Sequence, residues 1–233
     1  SNAIGTWGYI NGVNELMEQI EQIRAPHDDS NNDDFALDHV IFATGSGGTA
    51  TGIAVGLSLA YGSISDGHAA VKDQASPPTV HAIGVCDNPD YFYQTMTSIA
   101  NEMGMTFPND DCDMTNEEFI RKAVTVHNGK GKGYAFSSQE ELDFIVQFAT
   151  ETGIVLDPVY SGKALYYFLN MVVEENPELY RGKNILFWHT GGALGLYEKG
   201  DDLLERLRVM SPVKRIDVYG KMEESGDDVV PIC

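Results

Sequence analysis

Between Trp7 and Ile23, apolar side chains fall at Ile10, Val13, Leu16, Met17, Ile20 and Ile23. These three- and four-residue intervals predict a helix with one apolar face. The pattern stops at an acidic stretch containing Pro and Asn that runs to Asp34, which predicts a loop. His39 to Thr44, Thr79 to Cys86 and Asn184 to Trp188 are short, mostly apolar runs and predict buried strands. Helices are predicted over Gly47 to Tyr61, Asp90 to Met103, Ser137 to Thr152 and Ser161 to Glu174. The third of these has its start signals in Ser137 or Ser138 followed by Glu140 and Glu141. Thr115 and Glu118 suit a capping box within the acidic connection Asn109 to Glu118, and Gly62 to Pro78 reads as a flexible excursion. Strands alternating with helices imply an α/β fold with an open, mostly parallel, three-layer sheet.

Ligands of such sheets sit beyond the carboxyl ends of the strands. Two glycine turns stand at such ends, Thr44 to Thr49 and His189 to Gly192, and one pocket lined by both is expected. The first turn reads Gly45-Ser46-Gly47-Gly48-Thr49. Glycines let backbone N–H groups approach a ligand, and the following helix start adds partial positive charge, so the turn is an expected anion site. Ser46 and Thr49 add hydroxyl donors, enough for a phosphate to be held by neutral groups. The competing explanation is a tight strand-to-helix turn with no ligand. The loop also satisfies the loose G-x-G-x-x-[GA] dinucleotide pattern, but the acid expected roughly 20 residues on is replaced by Asp87, 42 residues after Gly45. The loop contains no lysine, so it is not a Walker A loop.

Composition narrows the classes further. The chain has 233 residues, 42% of them hydrophobic, enough for a sizeable core. Its 35 acidic and 15 basic residues give a formal charge of -20, which repels nucleic acid and anionic membranes. Cys86, Cys112 and Cys233 are an odd number without CxxC spacing, which fits a reducing compartment and speaks against a disulfide framework and against a structural zinc site. No run approaches a membrane span and no signal-peptide pattern opens the chain, so a cytoplasmic protein is expected. The six histidines show no metal-ligand spacing and GxSxG does not occur. His189, at a strand end, reads as a satisfied core histidine rather than a base.

The stretches IGTWGYI, ATGSGGTATGI, VCDNPDYF, NGKGKGYA, LDPVYSGKALY and ILFWHTGGALGLY together resemble the D-cysteine desulfhydrase and 1-aminocyclopropane-1-carboxylate deaminase family of pyridoxal-phosphate enzymes, in particular its plant-type D-cysteine desulfhydrases. The resemblance spans nearly the whole chain. It implies the large domain of a tryptophan-synthase-β-like fold and a pyridoxal 5'-phosphate cofactor whose phosphate sits on Gly45, Ser46, Gly47, Gly48 and Thr49. By the same resemblance Thr190 meets the pyridine nitrogen, where a neutral hydroxyl does not enforce ring protonation. Tyr160 of DPVYSG and Tyr134 of GKGY match the family's active-site tyrosines. A phenol of pKa ~10 serves as a proton donor, or as a base where its anion is stabilised. The glycines and lysines around Tyr134 predict a mobile loop.

One departure from the family stands out. Members carry the Schiff-base lysine in an upstream segment with a pattern like GNKxRK, and no lysine here lies in such a pattern; Lys163, in SGKA, matches a position without that role. Residues 1–233 are therefore expected to be the C-terminal portion, mostly the large cofactor-binding domain, with the N-terminal segment and small domain missing and with flexible stretches at 25–36 and 222–233. Ser1-Asn2-Ala3 reads either as a tag scar or as the end of a family GGSN stretch. The parent is expected to be a lyase that turns D-cysteine into pyruvate, sulfide and ammonia, and to be a homodimer. This chain alone is expected to be inactive and to associate with the missing portion or with itself. Removal of an upstream transit peptide would place the parent in an organelle matrix. The alternatives are the deaminase that opens the cyclopropane ring and a lysine-free module that binds a phosphorylated ligand.

Overall fold

The computed structural model describes residues 2–24, 35–62, 76–106 and 114–210. The elements run α1 (Ala3–Arg24), β1 (His39–Thr44), α2 (Gly48–Ala60), β2 (Thr79–Gly84), α3 (Pro89–Glu102), α4 (Asn116–Ala123), β3 (Thr125–Asn128), α5 (Gln139–Thr152), α6 (Ser161–Tyr167), α7 (Pro177–Tyr180), β4 (Ile185–Phe187) and α8 (Gly200–Met210). The helix that opens at Ser161 widens into a π-helical stretch over Phe168–Val173, and Ala193–Lys199 form a 3-10 helix. The acidic loop 25–34, most of the excursion after Gly62 and the tail 222–233 lie outside the described residues.

The four strands among the described residues are parallel, in the order β3-β2-β1-β4. Alternating side chains feed two cores, which is why β1 and β2 read as continuous apolar runs. Val40, Phe42, Val80, Ala82 and Val126 face α1 to α4 on one side, while Ile41, Ala43, Ile83 and Val85 pack with Ala164, Phe168 and Val172 on the other. On the first side α1 lies directly on α2. A Cβ at Gly52 would stand 2.7 Å from the Thr6 carbonyl, and one at Gly56 would stand 2.8 Å from a Val13 methyl. Of the predicted α1 face, Ile10, Val13 and Ile20 are buried and Leu16 and Met17 pack against the core, whereas Ile23 is exposed.

The second face carries one polar line. His39, His81 and His127 step diagonally across β1, β2 and β3, with His39 Nδ1 3.1 Å from His81 Nε2 and His81 Nδ1 3.0 Å from His127 Nε2. Tyr180 and Phe168 pack against the central ring. Burial holds all three histidines below their ordinary value, and His81, also facing its two neighbours, falls to about 3. Neutral rings satisfy the line, with one N–H bridging each of its two contacts.

The connections place the functional region. From β1 the chain steps out to β2 and β3, then returns across α5 to α7 to β4 on the far side of β1. The order reverses between β1 and β4, and that crevice at the strand carboxyl ends is where open α/β sheets bind ligands.

Candidate active site

A cavity of about 600 Å³ occupies that crevice, lined by Tyr9, Ala43, Gly45, Ser46, Thr49, Cys86, Tyr134, Tyr160, Thr190, Gly191 and Gly192. Both glycine turns meet here, as the strand ends predicted. Gly47 and Gly48, the remaining residues of the loop, are buried behind the lining.

The loop presents little side chain and a helix start to the cavity. Gly47 caps α2 with φ 80°, a left-handed conformation that glycine adopts at no steric cost, and it offers no side-chain acceptor to the first turn. The helix start contributes partial positive charge to the cavity wall. A Cβ at Gly45 would stand 2.8 Å from Tyr160 Cε1, so only glycine lets the ring lie against the loop. The Thr44 hydroxyl, buried at the strand end beside Gly45, has no hydrogen-bond partner. Cys86, just past β2, donates its thiol to the Gly45 carbonyl at 3.1 Å. Burial, and secondarily the Asp87 charge, push that thiol up from its usual range, which keeps it protonated and a donor.

Tyr160 is aimed by its own helix start. Asp157, buried, accepts from the Val159 and Tyr160 amides at 2.9 and 2.8 Å through one oxygen, and from the Ser161 amide and hydroxyl, both at 2.7 Å, through the other. Ser161 Oγ accepts the Asp157 amide in return at 2.8 Å. The carboxylate thus caps α6 and fixes the backbone of the residue at the helix entrance. The Tyr160 and Tyr134 hydroxyls stand 2.7 Å apart with their rings edge to face. The hydrogen bond to Tyr134, then burial, push the Tyr160 phenol up to about 12. Of the two roles open to a phenol, this surrounding favours the proton donor.

The structure brings together the residues proposed from sequence: Tyr134, Tyr160, Thr190 and the 45–49 loop border one space. Two expectations change. His189 is exposed, its Nε2 2.9 Å from the Val155 carbonyl and its Nδ1 accepting the Gly191 amide at 3.0 Å, so it is satisfied but not in the core. The loop around Tyr134 is tied down rather than loose, because the Lys163 ammonium bonds three of its carbonyls. Sequence reasoning gave no role to Tyr9, Cys86 or Asp157. For Asp157 a signal was present: Asp-Pro followed by Ser161 and an apolar run is a turn leading into a capped helix.

Comparison with known proteins identifies the family. The family described as pyridoxal-phosphate dependent enzyme matches residues 1–191. A mitochondrial bifunctional D-cysteine desulfhydrase/1-aminocyclopropane-1-carboxylate deaminase of Arabidopsis thaliana is 38% identical over 228 residues, covering 95% of this chain and 48% of the relative. A D-cysteine desulfhydrase of Klebsiella pneumoniae is 26% identical over 200 residues, covering 84% of this chain and 49% of the relative. The solved structure of an ACC deaminase homologue superimposes with a TM-score of 0.58 at 26% identity, over 88% of this chain and 51% of that one. The chain spans about half the length of the curated relatives it matches. With the match covering most of its length and the glycine loop at the switch point of a parallel sheet, this chain belongs to the pyridoxal-phosphate dependent enzymes.

Proposed function

We propose that this chain forms the cofactor-holding part of a lyase that eliminates sulfide from D-cysteine, leaving pyruvate and ammonia. The observation that carries the reading is the convergence of the glycine loop, Tyr134, Tyr160 and Thr190 on one cavity in a member of this family. The residues fit the cofactor: the left-handed Gly47 turn, the helix start behind it and the unpartnered Thr44 hydroxyl beside it suit a phosphate. Gly45, Ser46, Gly47, Gly48 and Thr49 would hold that group and Thr190 would face the ring nitrogen. When bound, the cofactor supplies an electron sink for the carbanion at the substrate's α-carbon.

The chain's own residues do the rest. Asp157 orients the Tyr160 backbone, and the loop glycine at Gly45 lets the ring lie against the loop. The Tyr160 phenol, held protonated beside Tyr134, keeps a proton at Oη for the sulfur as it departs. A second substrate, 1-aminocyclopropane-1-carboxylate, is supported by the bifunctional name of the Arabidopsis relative and by the solved homologue.

Apolar side chains stand exposed on α1, at Ile4 and Trp7, and on the 3-10 helix, at Leu194 and Tyr197. Their cover is proposed to be the half of the relatives' length that this chain does not span, within a homodimer. Among the described residues no helix is long and apolar enough to cross a membrane. The proposed compartment is the cytoplasm or, as in the name of the Arabidopsis relative, an organelle matrix.

In the test, the cofactor-loaded full-length parent with its upstream lysine is given D-cysteine and the cyclopropane amino acid in parallel. Sulfide and pyruvate in equal amounts from D-cysteine support the proposal. Turnover of the cyclopropane acid alone replaces it with the second reading, and a tightly bound cofactor with neither turnover overturns both.

A further inference from the structure

Lys163 is fully buried, and its ammonium donates to the carbonyls of Lys130 at 3.0 Å, Gly133 at 2.9 Å and Phe136 at 2.7 Å. A lysine ammonium has three donors and no acceptor, so its capacity is filled by one loop. That loop is wound to receive a cation. Gly131 and Gly133 have φ of 57° and 134°, and Ala135 has φ 61°, so positive-φ residues are interspersed among the three carbonyls that meet the ammonium. Two of those carbonyls also accept from within the loop, Lys130 from the Gly133 amide and Gly133 from the Phe136 amide. For alanine the left-handed region is unfavourable and persists only where the surroundings impose it. The strained residue is the direct neighbour of Tyr134.

Lys163 stands on α6, three residues after Tyr160. Tyr160 is fixed at the entrance of that helix by Asp157, and Tyr134 is fixed from the same helix through the ammonium. We propose that Lys163 is a positioning residue for the tyrosine pair: its ammonium fills a cup of three carbonyls in the 130–136 loop and so places the Tyr134 hydroxyl on that of Tyr160. One rigid element then sets both phenols and their 2.7 Å separation. Facing the ammonium are the buried Glu141 carboxylate of α5, which favours its charge, and Lys199 of the 3-10 helix, which opposes it. Burial is the largest influence and lowers the Lys163 ammonium from its ordinary value. A neutral amine has only two N–H groups, so loss of that proton leaves one carbonyl of the cup unbonded. The catalytic meaning of the pair rests on the proposed lyase reading; its placement by Lys163 does not.

The experiment reads the two tyrosines directly, without cofactor or substrate, by NMR of the chain labelled with [13Cζ]tyrosine and [13Cε]lysine. In Lys163→Met the Tyr134 resonance is expected to move to the position of a free tyrosine. The Tyr160 titration is expected to fall from about 12 toward the ordinary 10.0, with circular dichroism unchanged. In the unaltered chain, a measurement that needs no variant, the Tyr134 resonance is expected to shift at the midpoint of the Lys163 titration. A folded Lys163→Met chain with both tyrosine signals in place, or a Tyr134 resonance that stays put through the lysine midpoint, overturns the assignment. A lyase reading that fails on D-cysteine leaves these spectra unaffected, so the two failures are distinct.

Discussion

Replacing Asp157 with asparagine changes one oxygen into an amide that donates. In the native chain that carboxylate takes four donors, two on each oxygen, at 2.7 to 2.9 Å, in a fully enclosed position. Asparagine keeps the oxygen that serves Ser161 and turns its NH₂ toward the amides of Val159 and Tyr160, donor against donor. Two bonds to a charged acceptor, at about 1.5 kcal/mol each, put the loss at about 3 kcal/mol. For a domain of this size 1 kcal/mol corresponds to roughly 2–4 °C, so Tm is expected to fall by about 6–12 °C. Asp157→Ala, which also strands the Ser161 amide, is expected to cost about 5 kcal/mol. Urea unfolding followed by circular dichroism measures both variants. An Asp157→Asn chain within about 0.5 kcal/mol of the parent would refute the capping argument.

Other expectations follow from the same geometry. Tyr160→Phe should lower turnover of the cofactor-loaded enzyme by about 10²-fold or more with the fold intact; unchanged steady-state rates would remove Tyr160 from proton transfer. Gly45→Ala places a Cβ 2.8 Å from Tyr160 Cε1 and, by displacing the ring, should cost turnover on the order of 10²-fold, against a melting temperature that moves little. His81 titrates near 3 in the folded chain and near 6.5 when unfolded, so as pH falls below 6.5 the unfolded state takes up a proton that the folded state refuses. Its share of stability is intact above pH 6.5 and drops by about 2 kcal/mol between pH 7 and pH 5; urea midpoints at those two pH values should converge in His81→Phe relative to the parent.

What the sequence made legible follows from where each interaction keeps its signal. β1 and β2 are six-residue runs buried on both faces, and they stand out as apolar text. β3, Thr125–Asn128, was not foreseen because only Val126 of its four residues is buried. α4 hides in the same acidic region: Phe119 and Ile120 are its only buried residues, although the Thr115–Glu118 capping box that starts it was read correctly. The 45–49 loop was legible as a glycine turn between strand and helix because its glycines are themselves the feature. The clamp at Lys163 was not, because its partners are main-chain carbonyls 27 to 33 residues away, and a carbonyl leaves no mark in the residue letters. Tyr134 and Tyr160 lie 26 residues apart; only family resemblance paired them before the fold did.

The central claim is that the crevice between β1 and β4 holds the phosphate of pyridoxal phosphate on residues 45–49. Amide NMR of the 15N-labelled chain during titration with pyridoxal phosphate tests it most directly. The account predicts saturable shifts concentrated at Gly45, Ser46, Gly47, Gly48 and Thr49, reproduced at weaker affinity by inorganic phosphate and lost in Gly47→Val, whose branched side chain cannot adopt φ 80° without strain. Saturation that leaves those five amides unmoved while shifting others would contradict it.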